Sequence, residues 1–189
     1  MLYKPFISAC AIALTIAALL PYLRAVAQGR VLAHVFSWVI WGITTFSVFL
    51  AQLAEHGGIG AWPIGVSGSL TITVAVLAYR QRKALDIAPS DWCFFLAALS
   101  ALPLWHWTDD AFTAVLILTA VDILGFAPSF RKAYRQPDSE SPGFFALFLL
   151  RNILVILALE HYSWTTVLFP AAVAAACTAM IGLILRKRP

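Results

Sequence analysis

Two ionisable side chains stand where the surrounding sequence gives them no water. Asp122 lies in the apolar stretch Ala111–Phe130 and Arg151 in Phe144–Leu159. A charge in a long apolar segment is costly, about 2.5–3.5 kcal/mol on insertion scales, and such groups face a bundle interior and find partners. Asp122 lies nine residues before Arg131, and Arg151 eight residues beyond Gly143. At about 1.5 Å per residue, both sit roughly 12–14 Å from the same end of their helices. Equal depth allows a direct or a water-mediated ion pair. The pair either serves a solute or a proton, or locks two helices together. Asn152, beside Arg151, can donate and accept across the same space. Trp38, Trp41, Thr45 and Gln52 recur at three-, four- and seven-residue spacings and so share one helical face. That face combines flat rings with hydrogen-bonding groups, which suits a polar-solute pocket and equally a helix-packing seam.

The elements that must carry these residues follow from the composition. The chain has 189 residues, 61% hydrophobic and 12% charged, against about 45–50% and about 25% in soluble domains. A water-soluble fold of this size cannot hide so much apolar surface. Seven stretches have the length and apolarity of a membrane-spanning helix: Phe6–Leu23, His34–Leu53, Ala61–Tyr79, Trp92–Trp107, Ala111–Phe130, Phe144–Leu159 and Ser163–Leu185. The fourth is short and contains Pro103. Their apolar runs are continuous rather than alternating, so helices are expected and a barrel is not. The opening run mimics a signal peptide, but Arg24 interrupts the approach to Ala25-Val26-Ala27, and a retained helix is expected.

Lysine and arginine fall on one side. Arg24, Arg30, Arg80, Arg82, Lys83, Arg131, Lys132, Arg135, Arg186, Lys187 and Arg188 occupy alternate connections and the final tail, against Lys4 alone on the other side. The positive-inside rule then puts the C-terminus in the cytoplasm and the N-terminus outside, which requires an odd number of spans. A bacterial inner (plasma) membrane is the expected location. Trp62, Trp105, Trp107 and Trp164 fall at the outer ends, as an interfacial belt does.

A shift of 107 residues carries Pro21 onto Pro128, Arg24 onto Arg131, Pro63 onto Pro170, and Trp38, Trp41 and Trp62 onto Phe145, Phe148 and Phe169. It also carries Thr44 and Thr45 onto Arg151 and Asn152. Direct identities are few, nine in the 68 positions from Thr15 onward, and the hydropathy register carries the match. Spans one to three map onto five to seven in one orientation. The expected fold class is all-α, a polytopic membrane protein of seven helices in a 3+1+3 parallel repeat. Its parts are a first triplet over 1–83, a linker helix over 84–109 and a second triplet over 110–189. Parallel repeats are a recurrent transporter design, with the solute site at the repeat interface. Pro21 and Pro128, at matched positions, are either hinges for such motion or ordinary helix-end prolines. Pro63 and Pro170 lie near helix starts, where proline is tolerated.

Two segments carry a family resemblance. One is Leu20-Pro21-Tyr22-Leu23-Arg24 followed by Phe36-Ser37-Trp38, and the other is Gly125-Phe126-Ala127-Pro128-Ser129-Phe130-Arg131. The chain resembles the SWEET and PQ-loop superfamily of seven-helix membrane proteins, in which a proline–glutamine pair near the cytoplasmic ends of spans one and five precedes a basic loop. Tyr22 and Ser129 stand where the pattern has glutamine. Span two lacks the proline of the sugar-transporting members, and spans three and seven lack their asparagine. The resemblance implies a carrier working by alternating access. These departures, with the affinity of arginine for carboxylates, favour a zwitterion or a carboxylate-bearing solute over a sugar. The same fold hosts a sorting receptor, so the alternative is a non-transporting membrane receptor or assembly factor.

Other classes are not supported. No span contains a lysine for a retinal Schiff base, and no glycine-rich phosphate loop or zinc motif occurs. Cys10, Cys93 and Cys177 form no C-x-x-C pair. No serine, histidine and acid lie at compatible depth for a hydrolase. Glu55-His56 and Glu160-His161 read as solvated loop pairs, and their spacing matches no metal motif. No enzyme activity, catalytic residue, metal or cofactor is expected. The expected partners are the lipid bilayer and a small-molecule solute, not nucleic acid. Homo-oligomerisation stays open.

Overall fold

The protein was analysed as a computed structural model that describes residues 3–30, 33, 35–81, 110–126, 130, 133–135, 137 and 141–187, with positions 92, 93, 96, 100, 103 and 107. At 36, 37 and 81 only the backbone is described. Most of the expected fourth span and of the linker 84–109, together with Pro128, therefore lies outside the described residues.

All regular elements among the described residues are helical. They are α1 (Tyr3–Ala27), α2 (Val35–Ala54), a 3₁₀ turn (Gly58–Ala61), α3 (Trp62–Gln81), α4 (Ala111–Leu124), α5 (Pro142–Ala158) and α6 (Trp164–Lys187). Three stretches, Tyr3–Ala27, Gly58–Arg80 and Trp164–Lys187, are long and apolar enough to cross a membrane. Trp38–Ala54, Ala111–Leu124 and Pro142–Ala158 are shorter apolar helices.

The helix ends follow local chemistry. α1 closes in a Schellman motif: Gly29 takes φ +68°, Gly29 N–H donates to Val26 O and Arg30 N–H to Ala25 O. α2 closes the same way, His56 N–H donating to Leu53 O and Gly57 N–H to Gln52 O. Here the left-handed residue is His56, at φ 56°. A side chain in that conformation costs roughly 1–2 kcal/mol. His56→Gly is therefore expected to stabilise the protein by about 1 kcal/mol, read as a higher thermal midpoint in detergent. Asp110 caps α4, accepting from Phe112 N–H at 3.1 Å and Thr113 N–H at 3.3 Å. The Thr113 hydroxyl also donates to it, and these bonds hold its carboxyl below the ordinary range. Ser141 caps α5, with Pro142 in the first turn. α4 ends six residues before the expected limit at Phe130, because Gly125 and Phe126 turn the chain there.

α3 packs against both α1 and α2, and α6 against both α4 and α5. Between the triplets, α1 packs against α5 and α2 against α4. The principal neighbours thus form a closed circuit, α1–α3–α2–α4–α6–α5 and back to α1. Exchanging α1 with α4, α2 with α5 and α3 with α6 maps this circuit onto itself. Glycines let α2 and α3 approach closely: a Cβ at Gly68 would lie 3.0 Å from the Phe46 backbone, and one at Gly65 would lie 2.9 Å from the Phe49 ring.

Many large apolar side chains lie on the outside of the bundle, and several polar ones lie within its otherwise hydrophobic interior. Phe6, Leu116, Leu157 and Leu185 are exposed, while Thr15, Thr44, Gln52, Asp122, Arg151, Asn152 and Thr166 are buried. Thr15, Thr71 and Thr178 satisfy their hydroxyls on the carbonyl four residues back in their own helices.

Candidate functional site

The circuit of helices encloses a cavity of about 260 Å³. Asp122 borders it from α4 and Arg151 from α5, with Trp38, Trp41 and Thr45 on α2 and Ser67 and Thr71 on α3. Phe144, Phe145 and Phe148 of α5 and Phe169 and Cys177 of α6 complete much of the wall. Leu19 and Tyr22 of α1 line it nearer the basic end, together with Phe126. The Tyr22 and Trp38 rings stack there, centroids 4.8 Å apart and planes 23° apart. Trp38 also meets Trp41 edge-on, at 5.7 Å.

Arg151 is held from three sides. Its Nε donates to Thr15 Oγ1 on α1 at 3.2 Å, its Nη1 to Asn152 Oδ1 at 3.0 Å, and its Nη2 to Pro63 O at the start of α3 at 3.1 Å. The guanidinium also lies 5.9 Å from the Phe148 ring centroid. None of its hydrogen bonds goes to Asp122. The Asp122 carboxylate accepts instead from Thr44 Oγ1 on α2, at 3.0 Å. The direct ion pair that equal depth allows is therefore absent. Depth along a helix does not fix which neighbour a side chain faces, and α4 faces α2 while α5 faces α1.

The two polar contacts are related. Thr15 moved by 107 residues is Asp122, and Thr44 moved by 107 is Arg151. The contact Thr15–Arg151 thus becomes Asp122–Thr44 under the shift, first-triplet and second-triplet partners changing places. Wall residues pair in the same way: Leu19 with Phe126, Trp38 with Phe145, and Trp41 with Phe148.

Of the residues singled out from sequence, Asp122, Arg151, Trp38, Trp41 and Thr45 come together around the cavity. Asn152 is fully buried behind Arg151, its Oδ1 accepting from the guanidinium and its Nδ2 donating to Phe148 O at 2.8 Å. Gln52 lies two turns further along α2 and binds Thr166 O at 2.6 Å, away from the cavity wall. Its Oε1 is buried without a partner. Pro21 sits inside an α1 that continues to Ala27. Thr15, Tyr22 and the Pro63 carbonyl are contributors that the sequence reading passed over. The 107-residue register held the signal for Thr15, since it aligns that residue with Asp122.

The end of the bundle opposite the basic loops is tied shut across the triplets. Lys4 Nζ donates to Leu159 O, Gln52 Nε2 to Thr166 O, and Glu160 N–H to Gly57 O at 3.1 Å. His161 Nδ1 lies 3.2 Å from Glu55 O. Within the first triplet, Ser8 Oγ donates to Ile59 O at 2.8 Å. Among the described residues, no group of three or more His, Cys, Asp and Glu is placed to hold a metal ion.

Comparison of the chain with protein-family models, with curated proteins and with solved structures finds no match in any of the three.

Proposed function

We propose that the protein is a seven-span integral membrane carrier of a small polar solute, built as two parallel three-helix bundles joined by a linker helix. The observation that carries this reading is the cavity between the triplets, with one acidic and one basic side chain buried at its wall. A purely structural pair would close on itself, whereas Asp122 and Arg151 each take a neutral hydrogen-bond partner from the opposite triplet and face each other only across the cavity. Exposed apolar and buried polar side chains suit lipid as the surrounding solvent. The neighbour circuit, and the exchange of the two polar contacts under the repeat shift, support the 3+1+3 plan.

By the positive-inside rule the basic loops face the cytoplasm. The cavity extends from Asp122 and Arg151 towards that side, and the tied end faces outward. The described conformation is then inward-facing. Opening outward requires breaking the ties of Lys4, Gln52 and Glu160 to the other triplet while the halves rock about the site. In this scheme no covalent step occurs.

Asp122→Asn tests the assignment. The amide keeps the size of the side chain and an oxygen for the Thr44 hydroxyl, so only the charge is lost. Uptake into proteoliposomes is expected to fall at least about tenfold, or ~1.4 kcal/mol, with an unchanged elution profile of the purified protein. A folded Asp122→Asn protein with full uptake would remove Asp122 from the site. A solute-indifferent protein that co-purifies with a stoichiometric partner would favour the receptor or assembly-factor reading.

A further inference from the structure

The wall of the cavity defines a solute more narrowly than "small and polar". Arg151 has five N–H donors, of which three hydrogen bonds use neutral acceptors, Thr15 Oγ1, Asn152 Oδ1 and Pro63 O. Among the described residues no carboxylate pairs with it at contact distance, and Asp122 takes its hydrogen bond from the neutral Thr44 hydroxyl. Both side chains are buried, 3% and 6% exposed. Charges taken out of water in this way are stabilised only by opposite charges and hydrogen bonds. A solute that presents an anion to Arg151 and a cation to Asp122 supplies both at once.

The remaining wall asks for something else. Trp41, Phe145, Phe148 and Phe169 give it flat apolar faces, which favour stacked or edge-on rings. The hydroxyls of Ser67 and Thr71 border it too, but Thr71 Oγ1 already donates to Ser67 O at 2.9 Å. A polyhydroxylated solute would leave many of its donors and acceptors against aromatic carbon, at a cost for each one. The cavity volume of about 260 Å³ leaves room for one ring bearing a short charged chain.

We infer that the site takes an aromatic zwitterion: a solute whose carboxylate meets Arg151, whose ammonium meets Asp122, and whose ring lies among Trp41, Phe145 and Phe148. This rests on the carrier reading above.

The test uses the purified full-length chain and L-phenylalanine, with four comparison solutes. Phenethylamine lacks the carboxylate, 3-phenylpropionate lacks the ammonium, glycine lacks the ring, and D-glucose is neutral. L-Phenylalanine is expected to raise the thermal midpoint by mass action and to bind at least about tenfold more tightly than every other probe. In Asp122→Asn its advantage over 3-phenylpropionate is expected to vanish, because the group that reads the ammonium is gone. A one-charge analogue, glycine or glucose binding as tightly as L-phenylalanine overturns the proposed class. So does an L-phenylalanine advantage that survives in Asp122→Asn. Uptake of such a solute by proteoliposomes would then leave the carrier reading standing. Failure of all five probes to bind overturns the class. If a broader panel of amino acids, nucleosides, vitamins and sugars also shows no uptake, the carrier reading falls with it.

Discussion

Arg151→Ala is expected to lose the folded protein, not merely its activity. The guanidinium joins α5 to α1 through Thr15 and to the start of α3 through the Pro63 carbonyl, and it orients Asn152 on its own helix. Truncation removes all three bonds and leaves Asn152 Oδ1 without its donor in a fully buried position. It also leaves the Asp122 carboxylate without the positive charge across the cavity. Removing one member of a buried charged network costs about 3–5 kcal/mol, a large share of the ~5–15 kcal/mol that holds a typical domain folded. The measurement is the monodisperse fraction after detergent extraction, with the thermal midpoint of whatever survives. Arg151→Lys keeps the charge but replaces a planar fork by a point donor. It should fold in intermediate yield and lose uptake. An Arg151→Ala protein as abundant and as heat-stable as the parent would show that these three bonds do not hold the bundle together.

Gly60→Ala should be nearly as damaging, although it adds a single methyl group. A Cβ at Gly60 would lie 2.5 Å from Leu159 N and 2.6 Å from the Ala158 carbonyl carbon. Both are backbone atoms, so no rotamer change relieves the clash. The 3₁₀ turn must move away from the end of α5, straining the neighbouring ties of Lys4 to Leu159 O and Ser8 to Ile59 O. Overpacking of this kind costs typically about 1–3 kcal/mol. Gly182→Ala is the matched control, because its Cβ would meet nothing within 4 Å. Alanine is also the better helix former there, by about 0.5–1 kcal/mol. The pair should shift the thermal midpoint in opposite directions. Equal shifts would mean that contact between the 3₁₀ turn and α5 is looser than the structure shows.

The helices are legible in the sequence because the apolar runs are long, while Gly29 after α1 and Ser141 before α5 set ends that apolarity alone does not mark. The end of α4 is hidden in the sequence, because apolarity continues through Phe126 while the backbone turns at Gly125. A Cβ at Gly125 would lie 2.5 Å from Trp41 Nε1, a tertiary reason for that glycine that local sequence cannot display. The polar residues within apolar runs pointed to the cavity, since each must find a partner out of water. Which partner it finds depends on which helices are neighbours. Equal depth allows Asp122 and Arg151 to meet directly; the placement of α4 beside α2 and α5 beside α1 gives each a hydroxyl partner instead. Gln52 shares a helical face with Trp41 and Thr45, yet a seven-residue step is about 10 Å of rise. That carries it past the cavity to the tied end.

The two exchanged contacts have a consequence for half-length chains. If two copies of 110–189 closed the same circuit, Asp122 of each would meet Arg151 of the other, acid against base twice over. Two copies of 1–83 would set Thr15 against Thr44 at both junctions, with no charge at all. In the single chain the acid falls at one junction and the base at the other, each facing a hydroxyl. A symmetric dimer can offer two identical neutral seams or two identical salt bridges, and neither has a direction. The single chain has one, because its cavity has a basic side and an acidic side, which would give a polar guest a preferred orientation.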